Sequence, residues 1–83
     1  MFKLKLTAKA KKELKNLHKS YKVIIPRALE EIRNDPFLGK TLERDLTGKF
    51  SFRVGVYRII YIVNKKDRII TVISAGHRSK IYD

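Results

Sequence analysis

The last third of the chain has the residue pattern of three consecutive β-strands, and this pattern constrains the fold more than any other feature. The stretch "KFSFRV", which begins at Lys49, alternates apolar and polar residues and places Phe50, Phe52 and Val54 on one face. "YRIIYIV" and "RIITVISA" are rich in β-branched residues, and the polar segment "NKKD" separates them. Short connections between successive strands predict an antiparallel sheet.

A two-residue turn at Gly55 and Val56 is predicted between the first two of these strands. This turn pairs Val54 with Tyr57, and it pairs Arg53 with Arg58. Residues that lie opposite each other share a face, so the predicted core face consists of Phe50, Phe52, Val54, Tyr57, Ile59, Tyr61 and Val63. The two arginines then lie together on the other face, although like charges at paired positions are unfavourable.

The amino terminus predicts a further strand followed by a helix. "FKLKL" alternates strictly, so that Phe2, Leu4 and Leu6 face inward and the lysines face solvent. Thr7 is the predicted N-cap of the helix that follows. That helix carries an apolar stripe at helical spacing, formed by Ala10, Leu14, Leu17 and Tyr21.

A second helical stripe runs from Tyr21 to Ile32, with Pro26 inside it. An interior proline removes a hydrogen bond and usually kinks a helix. Two interpretations follow: the helix bends at Pro26, or it begins only near Ile24–Pro26. The continuous phase of the stripe favours the kinked helix, and "NDP" at residues 34–36 is predicted to end it.

These elements predict an α+β fold, formed by one domain of residues 1–83. An N-terminal strand leads into a two-helix antiparallel hairpin, which packs on a C-terminal antiparallel β-sheet as a second layer. Residues 36–48 are punctuated by Pro36, Gly39 and Gly48, and a short additional strand is predicted around Thr41–Arg44.

The net charge predicts a polyanionic partner. Twenty lysines and arginines stand against eight acidic residues, which gives a formal charge of +12. Roughly 2–8 charges suffice for the solubility of a small domain. Nucleic acid, including ribosomal RNA, is the favoured partner, while an acidic protein or a merely basic surface are the alternatives. The chain has no cysteine, and it contains no apolar run of membrane-spanning length, so a cytoplasmic protein without a membrane partner is expected.

The paired arginines form the first candidate site. Both guanidinium groups stay charged at ordinary pH, and a phosphate that bridges them would turn their repulsion into binding. Alternatively, both are solvated, or they pair with Glu43 or Asp45.

The second candidate site is the terminal stretch "GHRSKIY". Gly76 is predicted to end or bend the last strand and to release His77, Arg78, Lys80 and Tyr82. An imidazole, a guanidinium, an ammonium and a phenol suit the binding and cleavage of a phosphodiester. The histidines lack acidic companions at metal-ligand spacing, and no phosphate-binding glycine pattern occurs, so neither a metal nor a cofactor is predicted.

The order strand, two helices, "RVGVYRIIY" and "GHRSKIY" resembles the RelE/ParE superfamily of type II toxins over essentially the whole chain. The resemblance implies a RelE-like toxin, a ribosome-dependent endoribonuclease that cleaves messenger RNA in the ribosomal A site. Such enzymes use the RNA 2′-hydroxyl as the nucleophile and need no metal. ParE-like members of the superfamily share the fold but inhibit DNA gyrase, and a basic nucleic-acid-binding relative without activity is a further alternative.

The resemblance also implies residue roles. Arg58 matches the arginine that contacts the scissile phosphate, and Arg78 matches the arginine of the terminal motif. Tyr82 matches the terminal tyrosine that orients the substrate base, with a shorter spacing from Arg78. Lys80 is expected to bind substrate.

The general base is not assigned by the resemblance. Lys49 matches one of two lysines that precede the central hairpin, whereas Ser51 occupies the position of the second. Lys49, Arg53 or His77 are the candidates to compensate, and the imidazole of His77 makes it the simplest candidate on chemistry alone. Arg53 and Ser51 are also expected to contact substrate.

The implied partners are a cognate antitoxin, messenger RNA in the ribosomal A site and 16S ribosomal RNA. Antitoxins of this kind wrap the toxin with an amphipathic segment. An exposed apolar stripe along Tyr21–Leu29 is predicted to belong to that contact.

Overall fold

One sheet in the order β1-β5-β4-β3-β2 organises the computed structural model, which describes residues 2–41 and 48–77. Its strands are β1 (Lys3–Leu6), β2 (Lys40–Thr41), β3 (Lys49–Val54), β4 (Tyr57–Asn64) and β5 (Ile69–His77). The four strands from β2 to β5 pair antiparallel, as predicted, whereas β1 pairs parallel to β5 with Lys3 opposite Ile69. The predicted N-terminal strand, helix pair and C-terminal antiparallel sheet of an α+β fold are confirmed.

Two helices, α1 (Ala8–Lys15) and α2 (Ile24–Asn34), lie between β1 and β2 in the chain. The predicted N-cap is confirmed, because Thr7 Oγ1 accepts a hydrogen bond from the Ala10 amide at 3.0 Å. The first helix ends earlier than its apolar stripe, and a 3₁₀ turn at Lys19–Tyr21 carries the chain into α2.

The predicted kink at Pro26 is wrong, and the alternative start near Ile24 is correct. Pro26 is the third residue of α2, so it lies in the first turn, where a backbone N–H has no intrahelical partner. The ring therefore costs no hydrogen bond. The stripe keeps its phase because the 3₁₀ turn and α2 pack against the same sheet face.

The predicted core face of the sheet packs against the helices. Among the described residues, thirteen buried ones form one cluster, which consists of Ala10, Leu17, Ile25, Ala28, Ile32, Phe50, Val54, Ile59, Tyr61, Val63, Ile70, Val72 and Ala75. Phe2, Leu4 and Leu6 are partly buried against it, as the alternation of the first strand predicts, and Lys3 and Lys5 are exposed. The helices thus cover one face of the sheet. The face away from the helices is called the open face below, although Ser51 and Ile60 are buried on it.

The β3–β4 hairpin has the predicted register, with Val54 opposite Tyr57 and Arg53 opposite Arg58. Gly55 has a left-handed φ of 59°, which suits the first position of a type II′ turn. A side chain at this position would also approach the Tyr21 hydroxyl to 2.7 Å. The 3₁₀ turn between the helices therefore packs directly on the hairpin turn.

The prediction that Gly76 ends or bends the last strand is wrong. β5 continues through Gly76 to His77, where these residues pair with Arg58 and Tyr57. The irregularity of this strand lies earlier, where the register with β4 shifts between Ile60 and Tyr61. The predicted short strand at Thr41–Arg44 is observed at Lys40–Thr41, and residues 42–44 lie outside the described residues.

The connection from α2 to β2 is fastened to the sheet by one buried side chain, Tyr61. Its hydroxyl donates a hydrogen bond to the Pro36 carbonyl at 2.8 Å and accepts one from the Gly39 amide at 3.0 Å. Burial, in the first place, raises the pKa of Tyr61 above its ordinary value near 10. A side chain at Gly39 would collide with this hydroxyl. Neither helix is long and apolar enough to cross a bilayer, within the residues described.

Replacing Tyr61 by phenylalanine is expected to lower the free energy of unfolding by about 1–3 kcal/mol, because the Pro36 carbonyl and the Gly39 amide lose their partner. Urea denaturation at pH 7 measures this change. A loss well below this range would show that water replaces the hydroxyl.

The raised pKa of Tyr61 makes the stability of the unmodified chain depend on pH, and Tyr61→Phe removes this dependence. The folded state holds the phenol proton more tightly than the unfolded state, so this stabilisation is fully present below pH 10 and is lost as the pH rises above 10. Unfolding free energies measured between pH 9 and pH 11 should therefore fall more steeply for the unmodified chain than for Tyr61→Phe. Parallel curves would contradict the assignment.

Candidate functional site

The open face of the sheet carries the predicted cationic site. Lys49, Ser51 and Arg53 alternate along β3 with the core residues, and Arg58 on β4 lies opposite Arg53. The structure therefore brings the two arginines together on the face away from the helices, as predicted. Lys49 lies on the same face, about 13 Å further along the strand at the backbone level.

A cleft of about 340 Å³ opens beside the two arginines. In the part of the chain that the structure describes, β2 pairs with β3 at Phe50 and Ser51, and this pairing stops short of Arg53. The described lining of the cleft consists of Leu38, Gly39, Ser51, Phe52, Arg53 and Arg58. Because this lining contains guanidinium and hydroxyl groups and no carboxylate, it favours an anion.

The Arg58 side chain is half-buried and is held by its neighbour on β3. Its Nη1 donates to Ser51 Oγ at 3.4 Å, and Ser51 is only 5% exposed. Arg53 is exposed by comparison. The pair therefore combines one arginine fixed by the sheet with one that projects into solvent. On β5, Gly76 lies opposite Arg58 and adds no side chain beside it.

His77 does not join this site. It pairs with Tyr57, whose side chain belongs to the helix face, and the two ring centroids are 5.9 Å apart. The strand continues to His77 instead of releasing it at Gly76, and the pleat then directs it away from the face of Arg58. The remaining predicted site residues, Arg78, Lys80 and Tyr82, lie outside the described residues, as do the alternative partners Glu43 and Asp45.

Sequence reasoning missed the apolar wall of the cleft, which comes from the α2–β2 connection. Leu38 and Gly39 line the cleft because Tyr61 holds this connection against the sheet. The only sequence signal was the apolar pair Phe37-Leu38 between a proline and a glycine, in a segment without periodicity.

A second groove lies on the helix side of β3. Its volume is about 290 Å³, and its lining consists of Ile24, Arg27, Ala28, Glu31, Phe52, Arg53 and Val54. The predicted exposed stripe along Tyr21–Leu29 is wrong for most of its length, because Ile25 and Ala28 are buried and both end residues pack against the core. Within this range, Val23 is 70% exposed and Ile24 is also exposed. Within residues 2–41 and 48–77, no three histidine or acidic side chains are grouped to hold a metal ion.

Comparisons with known proteins agree with this architecture. A family model described as the ParE toxin of the type II toxin–antitoxin system parDE matches residues 4–82. Toxin RelG of Mycobacterium tuberculosis is 28% identical over 81 residues, which cover 95% of this chain and 93% of RelG.

Solved structures show the same similarity. The toxin–antitoxin complex RelBE2 of Mycobacterium tuberculosis contains a chain that is 26% identical, with a TM-score of 0.78 and coverage of 93% of this chain and 98% of that one. The isolated RelE toxin of E. coli has a TM-score of 0.81 at 24% identity, with coverage of 99% and 92%, and it supports the fold.

The charge repulsion between the paired arginines is measurable. Arg53→Gln should leave the free energy of unfolding unchanged or raise it by up to about 1 kcal/mol, because it removes one of two opposed charges. Urea denaturation at low salt tests this, and the gain should disappear at high salt. Lys66→Gln, an equal charge change in the exposed turn between β4 and β5, is the control. A clear loss of stability in Arg53→Gln alone would assign that arginine a structural role.

Proposed function

Since the chain belongs to the ParE toxin family, within the RelE/ParE superfamily of type II toxins, we propose that it cleaves messenger RNA in the ribosomal A site. The observation that carries this proposal is the Arg53–Arg58 pair on the open face of the sheet. A fold under no functional demand gains nothing from opposed guanidinium groups, whereas the negative charge of a phosphodiester between them attracts both and reduces their repulsion.

The pair would act on the charge that develops during cleavage. When the 2′-oxygen attacks phosphorus, negative charge accumulates on the non-bridging oxygens, and the bond to the 5′-oxygen breaks to leave a cyclic phosphate. Arg58 is the better placed of the two to stabilise this charge, because its side chain is half-buried beside Ser51, which accepts a hydrogen bond from it. Arg53, more exposed, is suited to draw in and position the phosphate.

The reaction also requires a base for the 2′-hydroxyl proton and an acid for the 5′-oxygen. Lys49 is the proposed base, since it lies on the face of the arginines and its long side chain can reach towards them. Ser51 is buried and its Oγ accepts a hydrogen bond from Arg58 Nη1, so its proposed role is to position that arginine. From the resemblance of the terminal motif, we propose that Arg78 helps to stabilise the developing charge and that Tyr82 orients the substrate base.

The proposed partners follow from charge and from the exposed apolar residues. Messenger RNA and 16S ribosomal RNA are polyanions that complement a net charge of +12 in the cytoplasm. The RelBE2 complex of Mycobacterium tuberculosis pairs a toxin with its antitoxin. For this chain we propose an antitoxin whose apolar side chains cover Val23 and Ile24 and enter the groove beside Arg27.

A second candidate is inhibition of DNA gyrase without catalysis. It is favoured by the matching family model, whose description names the ParE toxin. Gyrase inhibition would not require a half-buried arginine beside a cationic cleft, and for this reason messenger RNA cleavage is preferred.

Programmed ribosomes provide the decisive assay. The unmodified chain should cut messenger RNA in the A site, and Arg58→Ala should reduce the rate by roughly 10²–10³, as removal of one fixed donor to a developing anion does. Lys66→Ala, which removes a charge in the β4–β5 turn at the far end of β4, should keep nearly the full rate. Mapping of messenger ends measures both.

Two readings would contradict the proposal. Intact messenger RNA together with inhibited gyrase supercoiling would establish the second candidate. Equal losses of rate in Arg58→Ala and Lys66→Ala would show that the cleft contributes only bulk charge. Thermal unfolding of each variant excludes loss of the fold as the cause.

A further inference from the structure

An exposed leucine forms one wall of the arginine cleft. Phe37 and Leu38 are adjacent and similarly exposed, at 48% and 51%, but they point to different surroundings. The Phe37 ring lies 5.7 Å from that of Phe50, and Lys65 Nζ lies 5.3 Å from its centre. Leu38 instead lines the cleft that contains Arg53 and Arg58. Its apolar surface therefore faces a cationic site.

The position of Leu38 is fixed on both sides. Its amide donates to the Asp35 carbonyl at 3.1 Å, and the Asp35 carboxylate accepts from the Phe37 amide at 3.2 Å. The next residue, Gly39, is bonded to the Tyr61 hydroxyl. An apolar residue whose backbone is fixed beside two arginines suits a ligand that is anionic at one end and apolar at the other.

We infer that the cleft is a subsite for a single nucleotide of RNA, with the phosphate on Arg53 and Arg58 and the base against Leu38. This inference rests on the proposed function and adds the substrate contact that the arginines alone do not provide. A volume of about 340 Å³ lies at the small end of ligand sites, which suits one nucleotide. Single-stranded RNA is recognised through unstacked bases that lie on side chains or on guanidinium planes.

The lining of the cleft also determines which nucleobases it would select. Among the described lining residues, the hydroxyl of Ser51 is buried and bonded to Arg58, which leaves apolar side chains and the exposed Arg53 guanidinium to face a base. Such surfaces hold a base by area and stacking rather than by reading its edge. The subsite should therefore prefer purines over pyrimidines, with little discrimination between adenine and guanine.

Binding to the full chain tests the subsite independently of cleavage. Adenosine 3′,5′-bisphosphate and ribose 5-phosphate are titrated separately and followed by NMR, and the nucleotide should bind more tightly. Leu38→Ala should weaken nucleotide binding by roughly tenfold, which is near the low end of the range for one base contact. The affinity for ribose 5-phosphate should stay unchanged. Leu38→Met should retain the nucleotide affinity of the unmodified chain. Phe37→Ala should retain it as well, because Phe37 is similarly exposed but lies outside the described lining of the cleft.

The outcomes separate the subsite from the proposed function. Equal affinities for the two probes, or an unchanged nucleotide affinity in Leu38→Ala, would overturn the subsite even where the unmodified chain cleaves messenger RNA. If Leu38→Ala weakens only the binding of an antitoxin peptide, the leucine serves a protein partner and the inference fails. If nucleotide binding depends on Leu38 while ribosomal messenger RNA stays intact, the subsite stands and the cleavage proposal falls.

Discussion

The buried phenol of Tyr61 connects the core of this protein to its candidate site. The ring is fully buried on the helix face and stacks on Phe50, with centroids 5.5 Å apart. The hydroxyl at the other end of the same side chain binds the backbone on both sides of Leu38, at Pro36 and Gly39. Hydrophobic burial of the ring thereby fixes a loop that has no regular secondary structure. The backbone that carries the apolar wall of the cleft is therefore attached to the sheet.

The open face of the sheet is distinguished by its charge. Arg53 and Arg58 lie on paired positions in a chain with a net charge of +12, so both the local pair and the overall field disfavour the folded state. Ser51 partly offsets this by binding Arg58, and Gly76 leaves space beside it. Functional sites can lower the stability of the folded state in this way, and a bound ligand then supplies the opposite charge.

Sequence reasoning succeeded where a short-range rule determines the geometry. It failed where contacts between distant parts of the chain determine the position of a residue. The two-residue turn at Gly55 determines the register of the hairpin, and the pairing of the two arginines follows from it without tertiary information. Pro26 was misplaced because only the 3₁₀ turn before it shows that it occupies a first helical turn. Leu38 could not be found, since its place in the cleft depends on Tyr61, which is 23 positions further along the chain.

The register of β3 determines both the packing of the core and the position of the arginines. β3 presents Phe50 and Val54 to the helices and Ser51 and Arg53 to the cleft, so a slip of one residue would exchange the two faces. The slip would bury a guanidinium without a partner and expose core residues, and the cost of this exchange protects the site. Packing of Tyr21 on the Gly55 turn adds a second constraint from the helical layer. The same hydrophobic contacts that make a thin core stable therefore hold the arginines opposite each other, despite their repulsion.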